Sequence, residues 1–404
     1  MENFFNYIDS LRELVIELQS NLTKRKAINP ENGGDGEYEK FLWLKKFISN
    51  WGFSKIEEIL VPDQRVVSKV RPTLIATING KINRNLWFIT HLDVVPEGEI
   101  KLWNTNPFEA VVKDDKIYGR GTEDNQQSLV SSLIAAKVIL DNKIIPKYNV
   151  KLMFVADEEV GSQYGIEWIL ENTNIFTKDD LIVTPDVGDP EGNFIEVAEK
   201  SILWALFKII GKQSHGSRPD KGINAARASS HLCIRIDKLR EIYNERNELF
   251  DIPYSTFEPT KRVGSVINMN TIPGEETLGF DCRILPCYDL NNVLNDIKEI
   301  AKGVENEFGV KIEISTPQFV QAAPPTSEDS EVVCLLKNAI KKVTGKTPRP
   351  VGIGGGTVAA FFRKLGIPAA LWSTVDNTMH SPNEYSSITN TLKDAKVFFT
   401  MMIE

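Results

Sequence analysis

Apolar residues recur at helical spacing early in the chain. Phe5, Ile8, Leu11, Leu14, Val15 and Leu18 mark residues 4–21, and Phe41, Leu42, Leu44, Phe47 and Ile48 mark residues 37–51. The pattern then shifts to short continuous apolar runs, Pro72–Ile78, Leu86–Thr90, Val150–Ala156 and Leu181–Thr184, which predict strands covered on both faces. Between the second and third runs, Gln127–Leu140 places Leu129, Leu133, Ala136 and Ile139 on one side and predicts a helix. Strands alternating with helices give an α/β fold, a mostly parallel sheet sandwiched by helices.

A different order begins near Lys200. Ser201–Ile210 alternates as a half-buried strand does. The pattern then predicts a helix over Asn224–Phe250, strands over Val263–Met269 and Glu276–Leu285, a helix over Leu290–Phe308 and a strand over Lys311–Ser315. This is the β-α-β-β-α-β order of a ferredoxin-like α+β unit with helices on one face. After Pro324-Pro325 the pattern returns to a helix (Ser330–Val343), a glycine-rich turn, a helix (Thr357–Leu365) and a strand (Ala369–Ser373). The chain therefore reads as a discontinuous catalytic domain, residues 1–200 and 320–404, carrying an inserted satellite domain, residues 201–319. A length of 404 residues agrees with two cores.

Composition narrows the partners. Hydrophobic residues at 42% and charged residues at 25% fit a soluble globular protein. A net charge of −8, with Lys and Arg scattered, argues against a nucleic-acid face and against an anionic membrane surface. No apolar run approaches the roughly 20 residues that span a bilayer. The opening Met-Glu-Asn-Phe-Phe-Asn-Tyr is no basic leader, so the expected location is the cytoplasm. The four cysteines (Cys233, Cys282, Cys287, Cys334) show no CxxC spacing, which disfavours a thiolate zinc site or a disulfide framework.

The chemistry lies in imidazoles and carboxylates. Of four histidines, His231 falls inside a predicted helix and reads as structural. His91 closes a predicted strand, His215 lies in Ser214-His215-Gly216, and His380 precedes Ser381-Pro382-Asn383-Glu384. Asp124, Glu158 and Glu159 lie in turns or follow other strands, as does a further carboxylate at Asp186 or Asp189. Strand C-termini are where α/β sites assemble. Nitrogen and oxygen ligands without thiolate suit zinc, cobalt or manganese. A cation pair about 3.5–4 Å apart needs a bridging carboxylate and further ligands for each ion. Of the neighbours Glu158 and Glu159, one can ligate while the other moves a proton. Asp93, two residues after His91, can accept from the imidazole and fix its tautomer.

These residues fall in an ordered set: Ile-Thr-His91-Leu-Asp93-Val-Val-Pro, Tyr118-Gly-Arg-Gly-Thr-Glu-Asp124-Asn, Asp157-Glu158-Glu159-Val-Gly-Ser, His215 with Gly222-Ile-Asn224-Ala, Asn270-Thr-Ile-Pro273, Gly-Gly-Gly356-Thr and His380-Ser-Pro-Asn-Glu384. From about residue 86 to the last residue the chain resembles the M20 metallopeptidases. That group includes acetylornithine deacetylase, succinyl-diaminopimelate desuccinylase, aminoacylase, glutamate carboxypeptidase and carnosinase-type dipeptidases. The resemblance implies two zinc ions, one held by His91, Asp124 and Asp186, the other by Asp124, Glu159 and His380. It implies Asp124 as the bridge, Glu158 as general base and acid, Asp93 orienting His91, and a cis peptide after Asp124. It further implies a homodimer through the satellite domain, with His215 lent to the partner's site as an oxyanion donor. Arg283 and Asn270 match positions that commonly bind substrate, Arg283 through a free carboxylate, and the glycines at Gly355 and Gly356 would let backbone N–H groups approach such a carboxylate. Asn125-Gln126-Gln127 and Thr357 depart from the family's usual residues, and Thr184-Pro185-Asp186 and Gly188-Asp189-Pro190 each resemble a version of the last ligand motif.

The expected activity is amide hydrolysis on an N-acyl amino acid or a dipeptide with a free carboxylate. Two other readings compete. A non-catalytic binder of acylated amino acids or peptides would have no use for Glu158. A nucleotide-binding enzyme built on Gly352-Ile-Gly354-Gly-Gly356 lacks the preceding long strand and the following βαβ unit.

Overall fold

The computed structural model describes all 404 residues, which divide into two compact units. The first comprises Met1–Val197, Pro325–Pro350 and Thr357–Glu404; the second comprises Ala198–Pro324 and Val351–Gly356.

The first unit is built on a six-stranded sheet, in spatial order Lys55–Pro62, Val70–Ile78, Asn149–Val155, Asn85–His91, Leu181–Val183 and Ala369–Ala370. The last four strands run parallel, and the two at the other edge are antiparallel. Asn85–His91 sits inside the parallel part and is buried along nearly its whole length, as its unbroken apolar run requires. Trp87, Ile89, Met153, Val155 and Ile182 on one sheet face pack against Ile166, Ile169 and Phe362. The helix Ser128–Asp141 is buried on almost every side and bonds through Ser131 Oγ to the Thr391 carbonyl of Ile388–Ile403. The Thr326 N–H donates to the Val197 carbonyl at 2.8 Å, so the longer of the chain's two excursions from this unit starts and ends at neighbouring backbone positions.

The second unit is a four-stranded antiparallel sheet in the order Thr256–Gly264, Glu275–Ile284, Ser201–Ile210, Lys311–Val320. Leu203, Ala205, Phe207 and Ile209 point to one face and meet Ala228, Leu232 and Ile236 of Ala225–Asp237 and Val293, Ile297 and Val304 of Leu290–Phe308. Asn224 and Asp289 cap these helices by accepting from the N–H groups of Arg227 and Asn291. His231 packs its ring on Phe308 with centroids 4.6 Å apart.

Several sequence expectations shift. The first helical stretch breaks at Leu11 into Glu2–Ser10 and Arg12–Thr23. The helix expected over Asn224–Phe250 ends at Asp237, with one more turn at Leu239–Ile242. Beyond it, Asn247 accepts from Leu249 N–H and donates its own N–H to the Pro253 carbonyl, local bonding that competes with helix. The strand expected over Val263–Met269 is instead Thr256–Gly264, an edge strand whose exposed side chains carry no apolar alternation. Ile267 and Met269 lie in the following loop, fully exposed.

Candidate metal centre

Strand register brings the ligand residues to one end of the sheet. His91 pairs with Val155, and Glu158 and Glu159 follow in the next turn. Phe88 pairs with Val183, so Asp186 lies as far beyond its strand as His91 lies beyond Phe88. Asp124 comes from the kinked turn Thr122–Gln127, where its own φ of −108° and ψ of 97° leave helical conformation. The Asp124-Asn125 peptide is cis. His380 sits outside any helix or strand, in a turn where its φ is 60°.

Asp124 stands between the two imidazoles. Its Oδ1 is 2.9 Å from His91 Nε2 and its Oδ2 is 3.0 Å from His380 Nε2. His380 Nε2 also lies 3.1 Å from Glu159 Oε2, and His91 Nε2 lies 3.7 Å from Asp186 Oδ1. Two overlapping groups, His91-Asp124-Glu159 and His91-Glu158-Asp186, hold ligand atoms within 4.8 Å of one another and form a candidate metal-binding site. The donor set fits a divalent cation: four carboxylates crowd two imidazoles, and Glu159 Oε1 is buried with no hydrogen-bond partner. Asp186 receives the Asn125 side-chain amide, whereas Asp189 turns its carboxylate onto the N–H groups of Glu191 and Asn193 in its own loop.

The electrostatics reflect the crowding. Burial pushes the Glu158 carboxyl well above the usual range, and the charges of Asp186, Glu159 and Asp93 add to this against the pull of His91. Burial and then the Asp124 charge raise Glu159 to about 7. Hydrogen bonds to Asp124 and Glu159 raise His380 to about 10. Burial works against a charged His91, but its bonds to Asp124, Asp186 and Asp93 outweigh it and hold the imidazole well above its ordinary value.

Asp93 departs in detail from its expected part. The nearer acceptor for His91 Nδ1 is the Asp93 carbonyl at 3.0 Å, with the carboxylate Oδ1 at 3.5 Å. The carboxylate instead receives the N–H groups of Glu158 at 3.1 Å and Glu159 at 3.0 Å, and so holds the acidic turn. Beneath this turn lies a charge network for which the sequence held a single faint signal. Arg71 is fully buried, donates to Glu37 and Asn29, and lies 2.9 Å from Asp157 Oδ1. Lys40, also buried, donates to the Leu92 carbonyl. A charged residue at the head of the apolar run Pro72–Ile78 was the one available signal for Arg71.

The remaining predicted residues belong to the second unit. His215 lies in a short exposed strand paired with Thr271, and its Nδ1 accepts from the Ser217 N–H at 3.1 Å. Asn270 lends its carbonyl to the Gly216 N–H at 2.7 Å. Arg283 donates Nε and Nη2 to Asp281 and Nη1 to the Gly354 carbonyl. The turn at Gly355 and Gly356 is open, with no atom closer than 3.6 Å to where a Cβ would sit.

Similarity to known proteins agrees with this geometry. An uncharacterized metallohydrolase of Methanocaldococcus jannaschii is 43% identical, over 97% of this chain and 99% of its own. A succinyl-diaminopimelate desuccinylase of Nautilia profundicola is 28% identical, over 95% of this chain and 97% of its own. Among solved structures, an M20 family metallo-carboxypeptidase from Sulfolobus solfataricus superposes with a TM-score of 0.77 at 21% identity, covering 96% of this chain and 99% of that one. The sequence profile of Peptidase family M20/M25/M40 matches residues 87–404, the stretch that supplies every residue of the imidazole-carboxylate cluster, and the chain belongs to that family of metal-dependent hydrolases.

Proposed function

We propose that the protein is a two-cation amidohydrolase that cleaves an amide bond beside a free carboxylate. Its substrate is an N-acyl amino acid or a dipeptide, and the desuccinylase relative supports the N-acyl branch. The observation that carries this reading is the Asp124 carboxylate, shared oxygen by oxygen between His91 and His380. His91, Asp124 and Asp186 would hold one cation, and Asp124, Glu159 and His380 the other. Zinc fits this donor set, as do cobalt and manganese. Such cations act as Lewis acids on a carbonyl and bring the pKa of a bound water down to about 7.

The protein's own groups then handle protons and position. Glu158, buried and with its proton affinity raised, takes a proton from the attacking water and returns it to the departing nitrogen. The Ser217 N–H donated to His215 Nδ1 leaves Nε2 as the ring nitrogen able to donate, as an oxyanion requires. In this reading the first unit is catalytic. The second is a satellite through which a homodimer forms, with His215 serving the partner's site, Arg283, Gly355 and Gly356 serving the substrate carboxylate and Asn270 contacting the substrate. The test compares wild type and Glu158→Gln on N-acetyl amino acids, N-succinyl amino acids and dipeptides, each with zinc, cobalt or manganese. Turnover should fall by roughly two powers of ten or more while metal stays bound. A variant with near-normal turnover would remove Glu158 from the mechanism.

A further inference from the structure

The two loops that carry Asp124 and His380 exchange buried carboxylates. Glu384, from the His380 loop, reaches the Asp124 loop: its Oε1 accepts from the N–H groups of Glu123 at 3.0 Å and Asp124 at 3.1 Å, and its Oε2 accepts from Gly121 N–H at 3.0 Å and Arg120 Nη1 at 2.7 Å. Glu123, next to Asp124, reaches the other way. It accepts from the N–H groups of Asp376, Thr378 and Met379 and from the Thr378 hydroxyl. Both carboxylates are almost wholly shielded from water.

The His380 loop needs such support. Asn377, His380 and Asn383 all adopt φ near 60°, which side-chain-bearing residues rarely choose. Its amide N–H groups cannot pair in a ladder, because no strand runs through the segment. The Asp124 loop leaves helical conformation at Asp124 and Asn125, so a regular helical ladder does not pair its amides there. A carboxylate that accepts several converging N–H groups fixes the shape of the loop that supplies them. Here each loop is fixed by a carboxylate that is covalently part of the other. Movement of one must therefore drag the other, and the separation of Asp124 from His380 is set by both.

We infer that Glu123 and Glu384 are positioning residues, a reciprocal pair that sets Asp124 and His380 at the distance where they bind one cation together. The inference rests on the metal-site reading above. The experiment titrates metal-depleted protein with Zn²⁺ by calorimetry and records the visible absorption of the Co²⁺ form, alongside melting of the metal-free protein. Glu123→Ala should lower Zn²⁺ affinity about 10–100-fold and alter the Co²⁺ spectrum. Glu123→Gln keeps one acceptor oxygen and should recover part of the loss. Glu384→Gln should weaken binding too, and the double Gln variant should lose less than the product of the single losses, because both act on one loop pair. A folded Glu123→Ala with Zn²⁺ affinity within twofold of wild type and an unchanged Co²⁺ spectrum overturns the inference. If Glu123→Ala does not fold, Glu123→Gln decides: an affinity equal to wild type overturns it. His380→Ala separates the two levels. If it loses Zn²⁺ while the Glu123 variants do not, only the positioning role fails; if it too binds normally, the metal site itself is misassigned.

Discussion

The Arg71 side chain is fully buried, and its partners Glu37, Asn29 and Asp157 are equally enclosed. Removing one member of such a set strands the others as buried charges, which typically costs about 3–5 kcal/mol. Arg71→Ala should therefore lower the urea midpoint by a corresponding amount, and it should cost turnover as well, because Asp157 leads directly into Glu158. A midpoint within error of wild type would mean that solvent reaches the network. At this scale the residues of the imidazole-carboxylate cluster were legible and the residues that hold them were not. Coordination demands imidazole and carboxylate at strand ends, and those types stand out against apolar runs. Arg71 and Glu37, or Glu123 and Met379, meet only after folding, and nothing local in either segment names the other.

Among the elements, the strand Asn85–His91 and the helix Leu290–Phe308 were legible because burial on both faces or on one stripe leaves a clear pattern. The helix Ile388–Ile403 had no such pattern, since most of its residues are buried all round, and the edge strands Lys55–Pro62 and Thr256–Gly264 bury too little to alternate. That last helix holds Asp394, which burial pushes up to about 7 although Thr374 and Gln127 donate to it. The folded protein thus binds this proton more tightly than the unfolded chain does. The resulting stability is fully present at acidic pH below the ordinary carboxylate range and is lost as pH rises through about 7. Asp394→Asn should flatten that decline by roughly 1–4 kcal/mol between pH 4 and 8. Melting curves of the two proteins that fall in parallel over this range would show that Asp394 does not titrate there.

For the whole molecule, the proposed homodimer makes its own prediction. His215→Ala chains mixed with Glu158→Gln chains form hybrids in which one site has both groups intact if His215 acts on the partner. Random pairing should then restore about a quarter of the wild-type activity. Verified hybrids with no recovered turnover would confine His215 to its own chain. The sequence pattern switches from continuous apolar strands to alternating ones near Lys200 and back after Pro325, while Val351–Gly356, expected with the catalytic stretch 320–404, groups with the second unit instead. The bond from Thr326 to Val197 carries this further. The segment Ala198–Pro324, whose entry and exit are already stapled together, places little entropic demand on its host, since closing that gap needs only a tight turn. That segment could then be exchanged as one piece, over the course of descent or on the bench, while the sheet of the first unit keeps its shape.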